Sequence, residues 1–201
     1  MYIAIEGVIG VGKTTLARSL QPRFENSEVL LEVFEENPFL SDFYGDRARY
    51  AFQTQIFFLL SRYRQQHQVI PQYLEPGKTL ISDYTFSKDA LFARINLVGD
   101  ELVMYHRVHE ALAEKIAHPD LTVYLSASVE TLMNRIAQRD RSYERTMEIA
   151  YIAELVRAYD DFFGSIRTPH LVIDTNPLDF VRNKTHLDHI ENKIREALLI
   201  R

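Results

Sequence analysis

Gly7, Gly12, Lys13 and Thr14 have the spacing G-x-x-x-x-G-K-[ST], and that combination of residue types suits phosphate binding. A loop that wraps a triphosphate must turn tightly and bring backbone N–H groups to phosphate oxygens, which glycine permits without strain. The expected wall of such a site runs through Gly7, Gly10, Val11, Gly12, Lys13, Thr14 and Thr15. Lys13 would hold β and γ oxygens as a mobile charge, and Thr14 would ligate Mg²⁺ through its hydroxyl. Three further groups can do chemistry. Glu32, Glu35 and Glu36 are acids that could take a proton, Asp83 is an acid after an apolar run and suits magnesium, and Arg135, Arg139 and Arg141 form a basic helix end. On residue type alone the arginines read equally well as a solvated helix end favoured by the dipole.

The elements that must position these groups follow from hydrophobic period. Tyr2 to Ile5 reads as a strand leading into the loop, and Thr15 to Leu20 as the helix leaving it, so the glycine pattern has the flanks that a nucleotide site needs and a structural turn does not. Glu28 to Val33, Thr79 to Ser82, Leu121 to Leu125 and His170 to Asp174 read as four more strands. Helices are expected over Arg47–Tyr73, with Phe52, Ile56, Leu59 and Tyr63 at helical spacing, and over Lys88–Ala93, Asp100–Ile116 and Val129–Arg139. Ser126 or Ser128 can cap the last of these. Another helix runs to about Phe163, with Ile149, Ile152, Leu155, Val156 and Tyr159 as its apolar side, and a closing helix is expected over Phe180–Ile200. Strands alternating with helices imply an α/β fold with a five-stranded parallel sheet. The carboxyl ends of such strands are where ligands bind, which is where Glu32 and Asp83 fall.

Composition narrows the partners. With 201 residues, 46% hydrophobic and 25% charged, the chain matches one α/β domain over residues 1–201. The formal net charge of −5 argues against a nucleic-acid polymer, whose binding needs clustered Lys and Arg, and leaves small phosphorylated ligands. No cysteine is present, so disulfides, thiolate metal sites and cysteine nucleophiles are excluded. No apolar run reaches membrane-spanning length, and the loop begins too early for a signal peptide before it; a cytoplasmic protein without a membrane partner is expected.

Taken together, GVIGVGKTT, the segment LEVFEENPFLSDFY from Leu31 to Tyr44, FQTQIFFLLSRYR, SDYTFSKDALFA and RIAQRDRSYE ending at Glu144 resemble the deoxyribonucleoside kinases, especially the bacterial deoxyguanosine and deoxyadenosine kinases. The resemblance covers nearly the whole chain. It implies a P-loop kinase-like fold with an arginine-bearing lid at about 135–146, a homodimer, ATP and Mg²⁺, and phosphoryl transfer to the 5′-hydroxyl of a deoxyribonucleoside, with a purine as the base. Glu32 matches the carboxylate base, although the proline that usually follows is Val33 here. Tyr44 and Glu144 match residues on the sugar 3′-hydroxyl, and Gln55, Arg62 and Asp89 match the polar end of the base pocket. The alternative for Arg62 and Asp89 is a plain structural salt bridge. Phe52, Phe86 and Phe92 are candidates for stacking on the base or for plain core. Arg135, Arg139 and Arg141 match the lid that surrounds the transferring phosphoryl group, and Asp179 and Phe180 resemble the loop that holds the ATP adenine.

One departure concerns Asp83-Tyr84, where the animal enzymes have an acid followed by Arg. Either the lid arginines carry the missing charge or the reaction is slower. Two other functions compete: a nucleoside monophosphate kinase resembling thymidylate kinase, and an ATP-binding regulatory module. The first needs extra cations in the acceptor pocket, and the segments from Asn37 to Phe58 offer few. The second should lack Glu32 or the lid arginines, and both are present.

Overall fold

A computed structural model describes residues 1–199, the side chain of Glu35 excepted. In chain order the elements are β1 (Tyr2–Gly7), α1 (Lys13–Leu20), β2 (Ser27–Leu30), α2 (Leu40–Gly45), α3 (Arg47–Tyr73), β3 (Thr79–Ser82), α4 (Lys88–Asn96), α5 (Gly99–Ala113), β4 (Leu121–Ser126), α6 (Val129–Arg139), α7 (Ile149–Ser165), β5 (His170–Asp174) and α8 (Lys184–Leu199). The strands form one parallel sheet in the order β2-β3-β1-β4-β5. Every residue of β1 is buried, as a central parallel strand covered on both faces must be. Ile3, Ile5, Ile81, Val123 and Leu125 from the strands pack with Leu16, Leu20, Ile190 and Ile194 from the helices.

All five expected strands are present, and β2 is shorter than its apolar run. Its partner β3 ends at Ser82, opposite Leu30, so the ladder has nothing further to pair with. Beyond that point side chains take over. The Glu32 amide donates to Asp83 Oδ1 at 2.7 Å, and Gln65 Nε2 donates to the Leu31 carbonyl at 2.9 Å. Glu32 therefore stands on a loop, beyond the strand end.

The helices differ from expectation in several places: α4 runs on to Asn96, α5 ends at Ala113, short of Ile116, and α2 is additional. On α3 the buried face is Ala51, Thr54, Gln55, Phe58, Leu59, Arg62, Gln66 and Ile70, while Phe52, Ile56 and Tyr63 are half-buried. Ile149 on α7 is exposed, and the helix buries Tyr151, Ile152, Leu155, Tyr159 and Phe163 instead. The closing helix starts at Lys184, because the Asp179 carboxylate accepts the amides of Val181 and Arg182 and holds that stretch in a turn. Its expected end at Ile200 lies outside the described residues. Ser128, the alternative to Ser126, caps α6 by accepting the Thr131 amide at 3.2 Å.

Glycine is required where β1 becomes the loop. Gly7 has φ of +147°, and a Cβ there would stand 2.5 Å from the Leu125 carbonyl oxygen of β4. Gly7→Ala is expected to lose about 1–3 kcal/mol from backbone conformation alone, with sheet displacement adding to it. Urea unfolding of the two proteins measures the loss.

Candidate active site

The loop between β1 and α1 ends on Gly12, which precedes the first turn of α1 with φ of +104° and lies under the ring of Phe180. Lys13 Nζ folds back onto the carbonyls of Gly7 at 2.7 Å and Val8 at 3.3 Å. Burial lowers its pKa to about 8, and the nearby Lys88 ammonium contributes. Thr14 donates its hydroxyl to Asp83 Oδ2 at 2.5 Å. Behind the loop lies Glu6, buried in β1, whose carboxylate accepts the Thr85 amide at 2.6 Å, the Thr85 hydroxyl at 2.8 Å, the Gly7 amide at 3.2 Å and the Tyr159 hydroxyl at 3.1 Å. Sequence reading gave Glu6 no role. It joins the phosphate loop, the segment after β3 and α7 through one side chain.

Gly10, Val11, Gly12, Thr15, Arg135, Asp179 and Phe180 line an open cleft on one side of the loop. Arg135 departs from the expected arginine cluster. Its guanidinium donates to the carbonyls of Val11, Thr175 and Leu178 and to the Thr175 hydroxyl, at 2.8–3.4 Å. These bonds tie the phosphate loop to the segment after β5, and Arg139 lines the same cleft. A guanidinium with four acceptors in place braces the cleft and is not free to follow a moving phosphoryl group.

On the other side of the loop a cavity brings together Lys13, Thr14, Glu32, Tyr44, Gln55, Arg62, Asp83, Lys88, Phe92, Arg139, Arg141 and Glu144. Glu32 Oε1 accepts from Arg62 Nη2 and, at 2.9 Å, from Arg62 Nε, while Oε2 accepts from Lys88 Nζ at 2.6 Å. Burial opposes ionisation of Glu32, and Arg62 and Lys88 overcome it, holding the carboxyl well below the usual carboxylate range. Arg62 Nη1 also donates to Asp89, which is fully buried behind the guanidinium. Asp89 thus reaches the cavity only through Arg62, and its Oδ2 has no hydrogen-bond partner among the described residues.

The sugar-side candidates also meet. Tyr44, on α2, stacks on Tyr143 at 6.2 Å between ring centres, and burial raises its pKa, keeping a neutral hydroxyl. Glu144 holds Arg139 in a bidentate pair, with Nη2–Oε1 at 2.6 Å and Nε–Oε2 at 3.1 Å. Arg141 Nη1 is 3.8 Å from the same carboxylate, and its guanidinium stacks over Phe34 at 4.2 Å. Of the three candidate aromatics, Phe92 lines the cavity; Phe86 stacks on His109, and Phe52 packs on the core. Phe34, Phe43 and Phe58, which sequence reading did not single out, line it instead.

Thr14 and Asp83 offer a hydroxyl and a carboxylate in contact, hard oxygen donors of the kind magnesium takes together with phosphate and water. No cluster of three or more His, Cys, Asp or Glu able to hold a metal is found among the described residues. Tyr84 is buried and donates its hydroxyl to Gln65 Oε1 at 2.5 Å, well apart from any charge-carrying role.

A family model described as deoxynucleoside kinase matches residues 3–199. The chain belongs to the deoxynucleoside kinase family. Among curated relatives, this kinase is 32% identical to the deoxyguanosine kinase of Bacillus subtilis, over 98% of each chain. It is 35% identical to the deoxyadenosine kinase of Dictyostelium discoideum over 90% of this chain and 74% of that one. Among solved structures, the deoxyadenosine kinase of M. mycoides with the products dCMP and dCDP has a TM-score of 0.83 at 27% identity, covering 98% of this kinase and 99% of that chain. The kinase is therefore a phosphotransferase with the P-loop kinase fold. No helix among its described residues is long and apolar enough to cross a membrane.

Arg62 is the only guanidinium bonded to both Glu32 and Asp89 among the described residues. Arg62→Met is expected to cost about 3–5 kcal/mol, since it strands buried carboxylates, and Arg62→Lys should recover little of it because an ammonium cannot fork to both. Chemical denaturation of the three proteins decides this.

Proposed function

We propose that this kinase moves the γ-phosphoryl group of ATP to the 5′-hydroxyl of a purine deoxyribonucleoside, deoxyguanosine or deoxyadenosine, in nucleotide salvage. The observation that carries the reading is that Glu32 lines the same cavity as Lys13 and Thr14 of the phosphate loop. Glu32 takes the hydroxyl proton as the new O–P bond forms and the bond from γ-phosphorus to the bridging oxygen breaks, leaving ADP. Lys13 and the loop amides hold the phosphates, while Arg139 and Arg141 meet the charge that spreads over the transferring oxygens. A magnesium ion held by Thr14 and Asp83 would neutralise phosphate charge.

Tyr44 and Glu144 bind the 3′-hydroxyl, and Gln55 with the Arg62–Asp89 pair reads the base edge. A glutamine amide and a paired guanidinium offer the mixed donors and acceptors that a purine edge needs. The names of the relatives support the purine assignment, and the dCMP bound to the M. mycoides enzyme makes deoxycytidine the competitor to test. Asp179 and Phe180 enclose the adenine of ATP beside Arg135. Residues 1–201 act as one unit, with about 135–146 as the lid. Leu60 on α3 and Val103 and Met104 on α5 are about half exposed on helices that pack together, which supports a homodimer through this pair. A cytoplasmic location follows from the salvage role.

Glu32→Gln should lower kcat by about 100-fold or more with the KM for ATP nearly unchanged, because the carboxylate acts on the acceptor hydroxyl alone. Near-normal turnover would remove Glu32 from the role. In a nucleoside panel with ATP, kcat/KM for a purine should exceed that for deoxycytidine by about tenfold. Equal values would end the purine assignment, and acceptance of monophosphates alone would favour a thymidylate kinase-like reaction.

A further inference from the structure

Lys88 begins α4, is 5% exposed, and places Nζ 2.6 Å from Glu32 Oε2. The charges around it do not balance without it. Arg62 is shared, with Nε and Nη2 on Glu32 and Nη1 on Asp89, so one guanidinium faces two carboxylates, Asp89 fully buried and Glu32 partly so. An uncompensated buried charge costs several kcal/mol, and the cluster would relieve it by protonating an acid or by swinging Glu32 away. Lys88 supplies the second cation.

The geometry also assigns direction. Arg62 occupies Oε1 with two N–H groups, whereas Lys88 places a single donor on Oε2. A carboxylate oxygen has two lone pairs, so Oε2 keeps one open. The Lys88 ammonium is steadied from the other side by the Tyr84 ring, 5.5 Å from its centre, and that ring is itself anchored by the hydroxyl bond to Gln65.

We infer that Lys88 is a positioning residue for phosphoryl transfer: with Arg62 it fixes the Glu32 carboxylate so that one lone pair of Oε2 is left for the acceptor hydroxyl. Tyr84 is the neutral platform for this ammonium, and the positive charge missing after Asp83 reaches the site from α4. The inference rests on Glu32 being the base.

The test compares Lys88→Met, Lys88→Arg, Glu32→Gln and the double variant Lys88→Met/Glu32→Gln, each with a thermal melt. Lys88→Met should lower kcat by about tenfold to a hundredfold with the KM for ATP within about twofold, as expected for a misplaced reacting group. Lys88→Arg should regain most of that loss. In the Glu32→Gln background Lys88→Met should cost little more, because a residue that acts through Glu32 has nothing left to position. If Lys88→Met does not fold, Lys88→Gln takes its place in the cycle. A kcat within about twofold of the parent for Lys88→Met, or full additivity with Glu32→Gln, overturns the inference while leaving the base assignment intact. Normal turnover in Glu32→Gln overturns both.

Discussion

Both oxygens of the Asp83 carboxylate, which is nearly fully buried, are engaged, one by the Thr14 hydroxyl and the other by the Glu32 amide. Thr14 stands in the first turn of α1, just past the loop after β1, and Glu32 in the loop after β2. Their spacing is thus set by a side chain at the end of β3, the strand that lies between those two in the sheet. Because parallel pairing fixes the register of all three strands, the sheet itself sets the span from phosphate loop to carboxylate. Glu6 adds a second constraint from beneath, tying the start of the loop to Thr85 and to Tyr159 on α7. Each acid accepts hydrogen bonds at both of its carboxylate oxygens, so each joins two segments through one side chain.

The sheet and the phosphate loop were legible because their signals are local. An apolar run has one buried solution in a parallel sheet, and the glycine spacing between a strand and a helix has one sensible use. What the sequence did not disclose is largely pairing across distance. Glu6 continues the pattern of its strand and carries no mark of its four donors. Lys88 looks like any polar residue at a helix start until Glu32, 56 positions earlier, is folded against it. Arg135 shares a helix face with Arg139, yet the loop after β5 captures it.

Helix α3 shows a different failure. Of the apolar set Phe52, Ile56, Leu59 and Tyr63 only Leu59 is fully buried, and the polar Thr54, Gln55, Arg62 and Gln66 are buried on the same helix. Amphipathic reasoning assumes that the inward face meets an apolar core, and here much of it meets a cavity whose wall must stay polar. The six-residue helix α2 escaped notice because so short a segment has too few turns to show a period, although it carries Tyr44.

The bidentate pair between Arg139 and Glu144 gives the proposed site a further property. Each charge at this end of the cavity already has a mate, so a newcomer meets an ion pair instead of a bare ion. Binding then resembles a substitution reaction, in which the net gain is the difference between two good contacts. A water molecule, with one weak dipole, competes poorly with a forked guanidinium; a sugar hydroxyl held in place by the rest of its nucleoside competes well. Under the proposed roles, the sugar side and the phosphate side of the cavity share one ion pair, Glu144 serving the first and Arg139 the second. Whatever shifts one of these side chains therefore acts on the other, and the two halves of the cavity are mechanically one.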